Sequence, residues 1–164
     1  MQEFVPSAET SRAFRDALGR FATGVTVVTC ATPEGPMAIV ANSFASVSLD
    51  PPLVLWSPAR AGRRFPAFAA AQHFAIHVLS ADQRALCDHC ARNGQDFDGS
   101  GWAPSAEGTP LLPDCLARFE CAMHAQHEGG DHLIIVGRVL RVSQRDGAPL
   151  LFASGQYGQF AKTD

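Results

Sequence analysis

Hydrophobic positions recur at helical spacing in only a few places along the chain. Apolar side chains three and four residues apart predict an amphipathic helix over residues 11–21, carried by Phe14, Ala17, Leu18 and Phe21. Ser80 and Gln83 have the spacing of a capping box, which predicts a helix beginning at Ala81. Another short helix is expected at residues 66–71. Helices are therefore few and short.

Short β-branched or apolar runs, bounded by turn residues, fill much of the remaining chain. They predict strands at residues 24–30, 37–48, 53–56, 74–79, 117–124, 132–142 and 149–152. Residues 94–114 are rich in glycine, proline and polar residues and predict a long loop. Many strands with few helices between them favour a β-barrel over a parallel sheet.

Composition and charge narrow the class of protein. The 164 residues suit one domain, residues 1–164, in which residues 1–10 are expected to form a flexible N-terminal segment. A net charge of -3 without a long basic block argues against nucleic-acid binding. No apolar run is long enough to span a bilayer and no signal peptide is recognisable, so we expect a cytoplasmic protein. Five cysteines at irregular spacing indicate reduced thiols.

Polar side chains interrupt an otherwise apolar stretch between residues 40 and 56. Strand alternation would place Asn42, Ser46 and Ser48 on one face and Ser43 on the other. These groups either hydrogen-bond within loops and to water, or bind a polar ligand. The residue types leave both interpretations open.

Two loops carry further candidate chemistry. Residues 57–64 contain three arginines, Arg60, Arg63 and Arg64, which could hold a phosphate while Gly62 lets the backbone come close, although a solvated turn has the same composition. Residues 129–132 form a predicted tight turn that ends in a histidine, which is either structural or functional.

Common catalytic motifs are missing from the sequence. It contains no Gly-x-Gly-x-x-Gly, no Walker-type phosphate loop, no Gly-x-Ser-x-Gly elbow and no His-Glu-x-x-His. Rossmann dehydrogenases, NTPases, α/β-hydrolases and zincins are therefore unsupported. A zinc-binding interaction module is an alternative, because four possible ligands have partly suitable spacing: Cys87, Cys90, Cys121 and His124.

Five segments of the chain carry a family pattern. They are residues 14–29, 42–55, 74–83, 130–139 and 149–152 together with Tyr157. The most specific pattern is Asn42-Ser-Phe followed by Ser46-Val-Ser-Leu-Asp-Pro-Pro52. Through these segments, over nearly its whole length, the chain resembles the flavin reductase family with an FMN-binding split barrel. That family includes the reductase components of two-component flavin-dependent monooxygenases.

The resemblance implies a mainly β fold, a split β-barrel of Greek-key type with a few short flanking helices. It also implies a homodimer with flavin near the subunit interface. The implied activity is that of an NAD(P)H:flavin oxidoreductase, which transfers hydride from NADH or NADPH to FMN or FAD and supplies reduced flavin to a partner monooxygenase. No metal, nucleic acid or membrane is required.

The resemblance also assigns roles to residues. His132 matches the family's Gly-Asp-His position and is implied to orient the nicotinamide or the reduced flavin. The implied cofactor-binding residues are Asn42, Ser43, Ser46, Val47, Ser48, Ser57, Arg60, Gly62 and Arg63.

Three positions depart from the family pattern. Ala38-Ile-Val40 stands where relatives commonly read Gly-x-Thr, Ala61-Gly-Arg-Arg64 replaces a loop that is often rich in Ser and Thr, and His77 replaces the usual Asn. These departures leave a second hypothesis open: a flavin-binding protein on the same scaffold that acts without nicotinamide turnover.

Overall fold

Antiparallel strands are the main regular element of the computed structural model, which describes residues 1 and 3–161. Within that part, the helices are α1 (Ser11–Leu18), α2 (Phe65–Ala70) and α3 (Arg84–Arg92). The strands are β1 (Thr23–Gly24), β2 (Thr26–Thr32), β3 (Gly35–Ala41), β4 (Ala45–Leu49), β5 (Pro52–Trp56), β6 (His73–Val78), β7 (Ala103–Pro104), β8 (Pro110–Leu111), β9 (Ala117–Gly129), β10 (His132–Gln144), β11 (Leu150–Ala153) and β12 (Gln156–Gln159).

Seven strands form one sheet that closes on itself incompletely. Their order is β3-β2-β6-β9-β10-β5-β4, so β3 and β4 lie at opposite edges although only residues 42–44 separate them in the chain. The four residue steps from Ala41 to Ala45 span at most about 14 Å. The sheet must therefore curl until its edges approach, which gives a barrel that is open between β3 and β4. The predicted split β-barrel is confirmed.

A small second sheet lies beside this opening. It contains β1, β11 and β12 in the order β1-β11-β12, and Thr23 of β1 pairs with Phe152 of β11. Backbone hydrogen bonds continue from it into the barrel, since the Val25 N–H donates to the Leu150 carbonyl at 3.0 Å. The second sheet is thereby fixed relative to β2, which follows Val25 directly.

Both faces of β2 are covered, which explains its almost continuous apolar run. Val28 belongs to a core cluster with Trp56 and Phe74, whereas the neighbouring Val27 belongs to a second cluster with Cys87 on α3. Successive side chains of a strand point to opposite faces, so each face of β2 contributes to one cluster.

Most predicted elements are present, with several corrections. The capping contact is confirmed, because the Ser80 N–H donates to Gln83 Oε1 at 3.1 Å, but it opens a 3-10 turn at Ala81–Gln83 and α3 follows from Arg84. The predicted loop at residues 94–114 contains the two-residue strands β7 and β8. The single strand predicted over residues 37–48 is wrong, since the chain breaks between β3 and β4. The amphipathic helix ends at Leu18 rather than at residue 21. Among the described residues, no helix is both long and apolar enough to cross a membrane.

Candidate functional site

The break between β3 and β4 is fastened to the loop that follows β5. The Ser43 hydroxyl accepts a hydrogen bond from the Ser57 N–H at 2.9 Å, and it donates to the Ser57 carbonyl oxygen at 3.3 Å. This hydroxyl therefore has partners within the fold. The contact accounts for one polar residue of the apolar stretch without a ligand, and it brings the break and the loop side by side.

Residues 57–64, called the arginine loop below, contain a tight turn. The Gly62 N–H donates to the Ala59 carbonyl at 3.1 Å, and the Phe65 N–H donates in turn to the Gly62 carbonyl at 3.0 Å. A Cβ atom at Gly62 would lie only 3.1 Å from the Ala59 carbonyl oxygen. Glycine therefore suits the close backbone approach at this position.

The three arginines of the loop have different environments. Arg60 forms an ion pair with Glu128 at 2.6 Å and lies over the Phe65 ring, 5.5 Å from its centroid. Arg64 donates hydrogen bonds to backbone carbonyls. Arg63 is exposed and has no ion pair or side-chain hydrogen bond in the part of the chain that the structure describes. Arg63 is therefore the arginine that is available to an incoming anion.

His132 opens β10 next to the same loop. Ala59 forms an isolated β-bridge with His132, and the Arg60 N–H donates to the Asp131 carbonyl at 2.9 Å. The His132 Nδ1 lies 2.8 Å from Asp131 Oδ1, and this hydrogen bond lowers the pKa of the Asp131 carboxyl. Because Nδ1–H donates to that carboxylate, Nε2 is the ring nitrogen left to meet a ligand.

Ser46, Val47 and Ser48 lie on the edge strand β4. Ser46 pairs with Val54 and Ser48 with Leu53, so a bulge leaves Val47 without a partner in register. The bulge breaks the simple alternation that the sequence predicted for Ser46 and Ser48. In the described part of the chain, none of the three forms a hydrogen bond with the arginine loop or with His132.

Asn42 lines two adjoining cavities at the open side of the barrel. The larger has a volume of about 460 Å³ and the smaller about 190 Å³, and Phe152 also lines both. The larger cavity is lined by two cations, Arg15 and Arg20, and by one carboxylate, Asp16, near the C-terminal end of α1. The smaller cavity is lined by Val40, the position at which the family resemblance implies a threonine, so that wall is apolar.

Sequence reasoning did not identify Thr23, Phe152 and Tyr157 as cavity residues. Thr23 forms a strand of only two residues, and the β12 strand that carries Tyr157 has no apolar alternation. The one available signal was that all three fall within segments that carry the family resemblance.

Buried titratable groups serve the core. His77 is fully buried, with Nδ1 3.0 Å from the Val27 carbonyl oxygen and Nε2 3.1 Å from the Leu112 backbone nitrogen. Burial lowers the pKa of His77 to about 4. The ring is therefore neutral, donates from Nδ1 and accepts at Nε2, and ties β2 and β6 to the long loop at residues 94–114.

The cysteines give no support to metal or redox chemistry. All five are free, and burial raises the pKa of Cys30 and of Cys121 to about 12. A thiol with so high a pKa is rarely the thiolate that metals and oxidants require. Within residues 1 and 3–161, no group of three or more His, Cys, Asp or Glu side chains is arranged to hold a metal ion.

The remaining arrangement suits a planar ring that bears a phosphate. Cavities with aromatic and aliphatic walls beside Asn42 can hold a ring system. The arginine loop offers the Arg63 cation together with the N–H groups of Ala61 and Arg63, which have no hydrogen-bond partner among the described residues. Cations and backbone N–H groups are the donors that proteins present to phosphate. These are the kinds of groups that a flavin mononucleotide needs. No described residue of the arginine loop lines either cavity, and the Ser43–Ser57 contact is what brings the loop to the same side of the barrel.

Comparisons with known proteins point in the same direction. The family model described as "Flavin reductase like domain" matches residues 18–161. The chain is 60% identical over 159 residues to the FMN reductase (NADH) SmoA of Agrobacterium fabrum, covering 97% of this chain and 91% of that protein. It is 39% identical over 148 residues to the flavin-dependent monooxygenase reductase subunit HsaB of Rhodococcus jostii, covering 89% and 76%.

Solved structures share the fold. The NADH:FAD oxidoreductase SgcE6 of Streptomyces globisporus C-1027 superposes with a TM-score of 0.90 at 35% identity, covering 99% of this chain and all (100%) of that one. The same oxidoreductase in complex with NAD and FAD fragments superposes with a TM-score of 0.88 at 36% identity, covering 97% and 98%.

Proposed function

The chain belongs to the flavin reductase family, and from that membership we propose that it reduces FMN with NADH and releases the reduced flavin to a separate monooxygenase. Similarity to the FMN reductase (NADH) SmoA carries the choice of FMN and NADH. The arginine loop supports it, because its available cation and N–H groups match one terminal phosphate.

Each group of residues has a separate task in this proposal. A bound flavin would supply the acceptor for the hydride of the reduced nicotinamide. The cavities at Asn42 and Phe152 hold the ring system, and the arginine loop holds the phosphate. His132 orients the nicotinamide through Nε2, while Asp131 fixes the imidazole ring. The protein contributes alignment, and no covalent nucleophile takes part.

The test is anaerobic stopped-flow absorbance of the purified protein. FMN or FAD is mixed with NADH or NADPH, and bleaching of the oxidised flavin band is followed. We expect the largest kcat/KM with FMN and NADH. A larger value with FAD contradicts the choice of flavin. Bound flavin that stays oxidised with both nicotinamides contradicts the reductase role and favours a flavin-binding protein without turnover.

The exposed face of α1 supports a homodimer. No residue of α1 is buried, and Phe14 and Leu18 are 43% and 60% exposed. Phe21, just beyond the helix, is 78% exposed. A helix normally covers such an apolar face, and contiguous exposed apolar side chains mark contact surfaces. Leu18 and Phe21 also line the larger cavity, so a second copy that covers them would enclose the flavin site.

A monooxygenase is the proposed recipient of the product. HsaB of Rhodococcus jostii is named the reductase subunit of a flavin-dependent monooxygenase, and Stc3 of Rhizobium meliloti the reductase subunit of a stachydrine N-demethylase. The reductase and a flavin-dependent monooxygenase can be placed on opposite sides of a dialysis membrane that passes FMN. Product formation across the membrane is expected if reduced flavin travels by diffusion. Product only when the proteins share a compartment would contradict diffusion and indicate direct transfer.

A further inference from the structure

Arg64 ends the arginine loop, and its guanidinium lies against three backbone carbonyls. Nη1 donates to the Ala38 carbonyl at 3.0 Å and to the Cys90 carbonyl at 2.6 Å, and Nη2 donates to the Ala91 carbonyl at 3.0 Å. Cys90 and Ala91 lie in the last turn of α3. The carbonyl oxygens of a last turn have no N–H partner within their own helix, so they can accept hydrogen bonds from elsewhere. One side chain therefore ties the loop both to β3 and to the C-terminal end of α3.

The surrounding backbone is shaped to receive this guanidinium. The Ala38 N–H donates to the Gly94 carbonyl at 2.6 Å, and both residues are buried. A Cβ atom at Gly94 would lie 2.0 Å from the Ala38 carbonyl oxygen and 2.7 Å from Arg64 Nη1. Any side chain at Gly94 would therefore displace either the backbone or the guanidinium. The contact therefore links three segments of the chain: the arginine loop, β3 and the C-terminal end of α3.

An arginine side chain is well suited to this set of hydrogen bonds. A cation at the C-terminal end of a helix is favoured by the helix dipole. The planar guanidinium has five N–H donors and can serve several carbonyls at once, which a lysine ammonium on a flexible stem does less well. Burial first, and the nearby Arg63 charge to a smaller degree, lower the pKa of Arg64. An anion bound at Arg63 would relieve that repulsion.

The two ends of the arginine loop are thus held by different elements. The Ala59 bridge to His132 fixes the first half to β10, and the Arg64 contacts fix the second half to α3 and β3. Arg63 lies in the second half, directly before the anchored residue. A loop fixed at both ends loses little conformational freedom on binding, which favours affinity.

We propose that Arg64 is a positioning residue for the flavin phosphate. By anchoring the second half of the arginine loop, it holds Arg63 and the N–H groups of Ala61 and Arg63 in one arrangement around the phosphate. The inference rests on the proposed function, since it takes this loop as the phosphate site.

A comparison of FMN with riboflavin measures the contribution of the phosphate, because riboflavin has the ring system of FMN without that group. The experiment measures kcat/KM for FMN and for riboflavin with NADH on the full chain, for the wild type, Arg64→Lys and Arg63→Gln. Arg92→Gln, an exposed arginine on α3, is the control. We expect both loop variants to lower the FMN to riboflavin ratio roughly tenfold, through KM, since charge-assisted hydrogen bonds contribute that much. Riboflavin turnover and the Arg92→Gln ratio should stay at the wild-type level.

A second variant disturbs the same contact at Gly94, two residues beyond the end of α3. Gly94→Ala keeps every arginine but forces apart the Ala38 carbonyl and the Arg64 guanidinium that donates to it, so it should lower the FMN to riboflavin ratio as well. Riboflavin turnover in each variant reports that the fold is intact.

The outcomes separate the two ideas. If Arg63→Gln leaves the ratio unchanged, the arginine loop does not bind the phosphate and that part of the proposed function fails. If Arg63→Gln lowers the ratio but Arg64→Lys and Gly94→Ala do not, the positioning role alone is overturned. If the Arg64 and Gly94 variants lower FMN and riboflavin turnover equally, Arg64 has a purely structural role and the inference is again overturned.

Discussion

The hydroxyl of Ser43 and the backbone of Ser57 hold the open side of the barrel together, with Ser43 Oγ 2.9 Å from the Ser57 nitrogen. This contact joins the end of β3 to the start of the arginine loop. A polar side chain in an apolar stretch therefore has a structural partner, and the neighbouring Asn42 is left to line the cavities.

Ser43→Ala should reduce stability and weaken flavin binding together. The substitution leaves the Ser57 N–H without its acceptor, which costs about 1–2 kcal/mol in the free energy of unfolding. The loosened arginine loop should also raise the KM for FMN. Urea unfolding and steady-state kinetics measure the two effects. The exposed Ser11→Ala is the control and should change neither. An unchanged free energy of unfolding in Ser43→Ala would show that water replaces the hydroxyl at no cost.

Protonation of His77 should lower the free energy of unfolding of the protein in mild acid. Burial lowers the pKa of His77 from 6.5, the value expected in the unfolded chain, to about 4 in the folded chain. As the pH falls, the imidazole is therefore protonated in the unfolded chain before it is protonated in the folded one. This contribution to stability is complete above pH 6.5 and is lost as the pH approaches 4, a loss of about 3 kcal/mol. Urea midpoints between pH 7.5 and 4.5 measure it.

The matched variant for that experiment is His77→Asn. Asparagine has a donor and an acceptor but does not titrate, so the midpoint of this variant should depend less on pH over the same window. His73→Asn, a partly exposed histidine on the same strand, controls for a general effect of removing a histidine. Equal pH dependence in the wild type and His77→Asn would mean that other groups cause the acid sensitivity.

Leu18→Asp should convert the proposed homodimer into a monomer. In a two-fold interface, the substitution places two new carboxylates in an apolar contact, where unpaired charges are strongly unfavourable. Light scattering after size-exclusion chromatography should give twice the 17.5 kDa chain mass for the wild type and a single chain mass for the variant. Val5→Asp, at an 83% exposed position outside α1, should remain dimeric. A monomeric wild type would refute the dimer itself.

The strand content of the fold could be predicted because most strands carry their own signal. The β-branched run of β2 and the apolar run of β5 are bounded by turn residues; β2 is buried over its first five residues, and β5 buries Val54 and Trp56. The break at residues 42–44 could not be predicted. The hydroxyl of Ser43 is satisfied by the backbone of Ser57, which is fourteen positions later in the sequence. The local pattern of polar and apolar residues does not reveal a hydrogen-bond partner that is distant in sequence and is brought close only by folding.

The candidate site was predictable in part for the same reason. The arginine loop and His132 stand out by residue type, and the fold brings them together through the Ala59 bridge. The different states of Arg60, Arg63 and Arg64 depend on Glu128 and on the α3 carbonyls, which lie far away in sequence. Composition alone therefore treats three arginines as equivalent although only Arg63 lacks a partner among the described residues.

His132→Ala should slow hydride transfer more than it weakens flavin binding. Asp131 holds the imidazole through Nδ1, so the proposed contact of Nε2 is with the nicotinamide rather than with the flavin phosphate. Loss of an aligning group typically costs roughly 10–100-fold in rate. Single-turnover reduction of saturating FMN by NADH measures the rate, and fluorescence titration measures the FMN dissociation constant.

The His132 prediction can be separated from a general disturbance of the β9–β10 hairpin. His127→Ala, an exposed histidine on the same hairpin, should reduce FMN at the wild-type rate. Asp131→Asn keeps an acceptor oxygen beside Nδ1 and should lose less activity than His132→Ala. Deuterium at the transferred position of NADH should give a larger isotope effect in His132→Ala, because hydride transfer then limits turnover. A variant that binds FMN poorly but turns over normally at saturation would instead place His132 at the flavin.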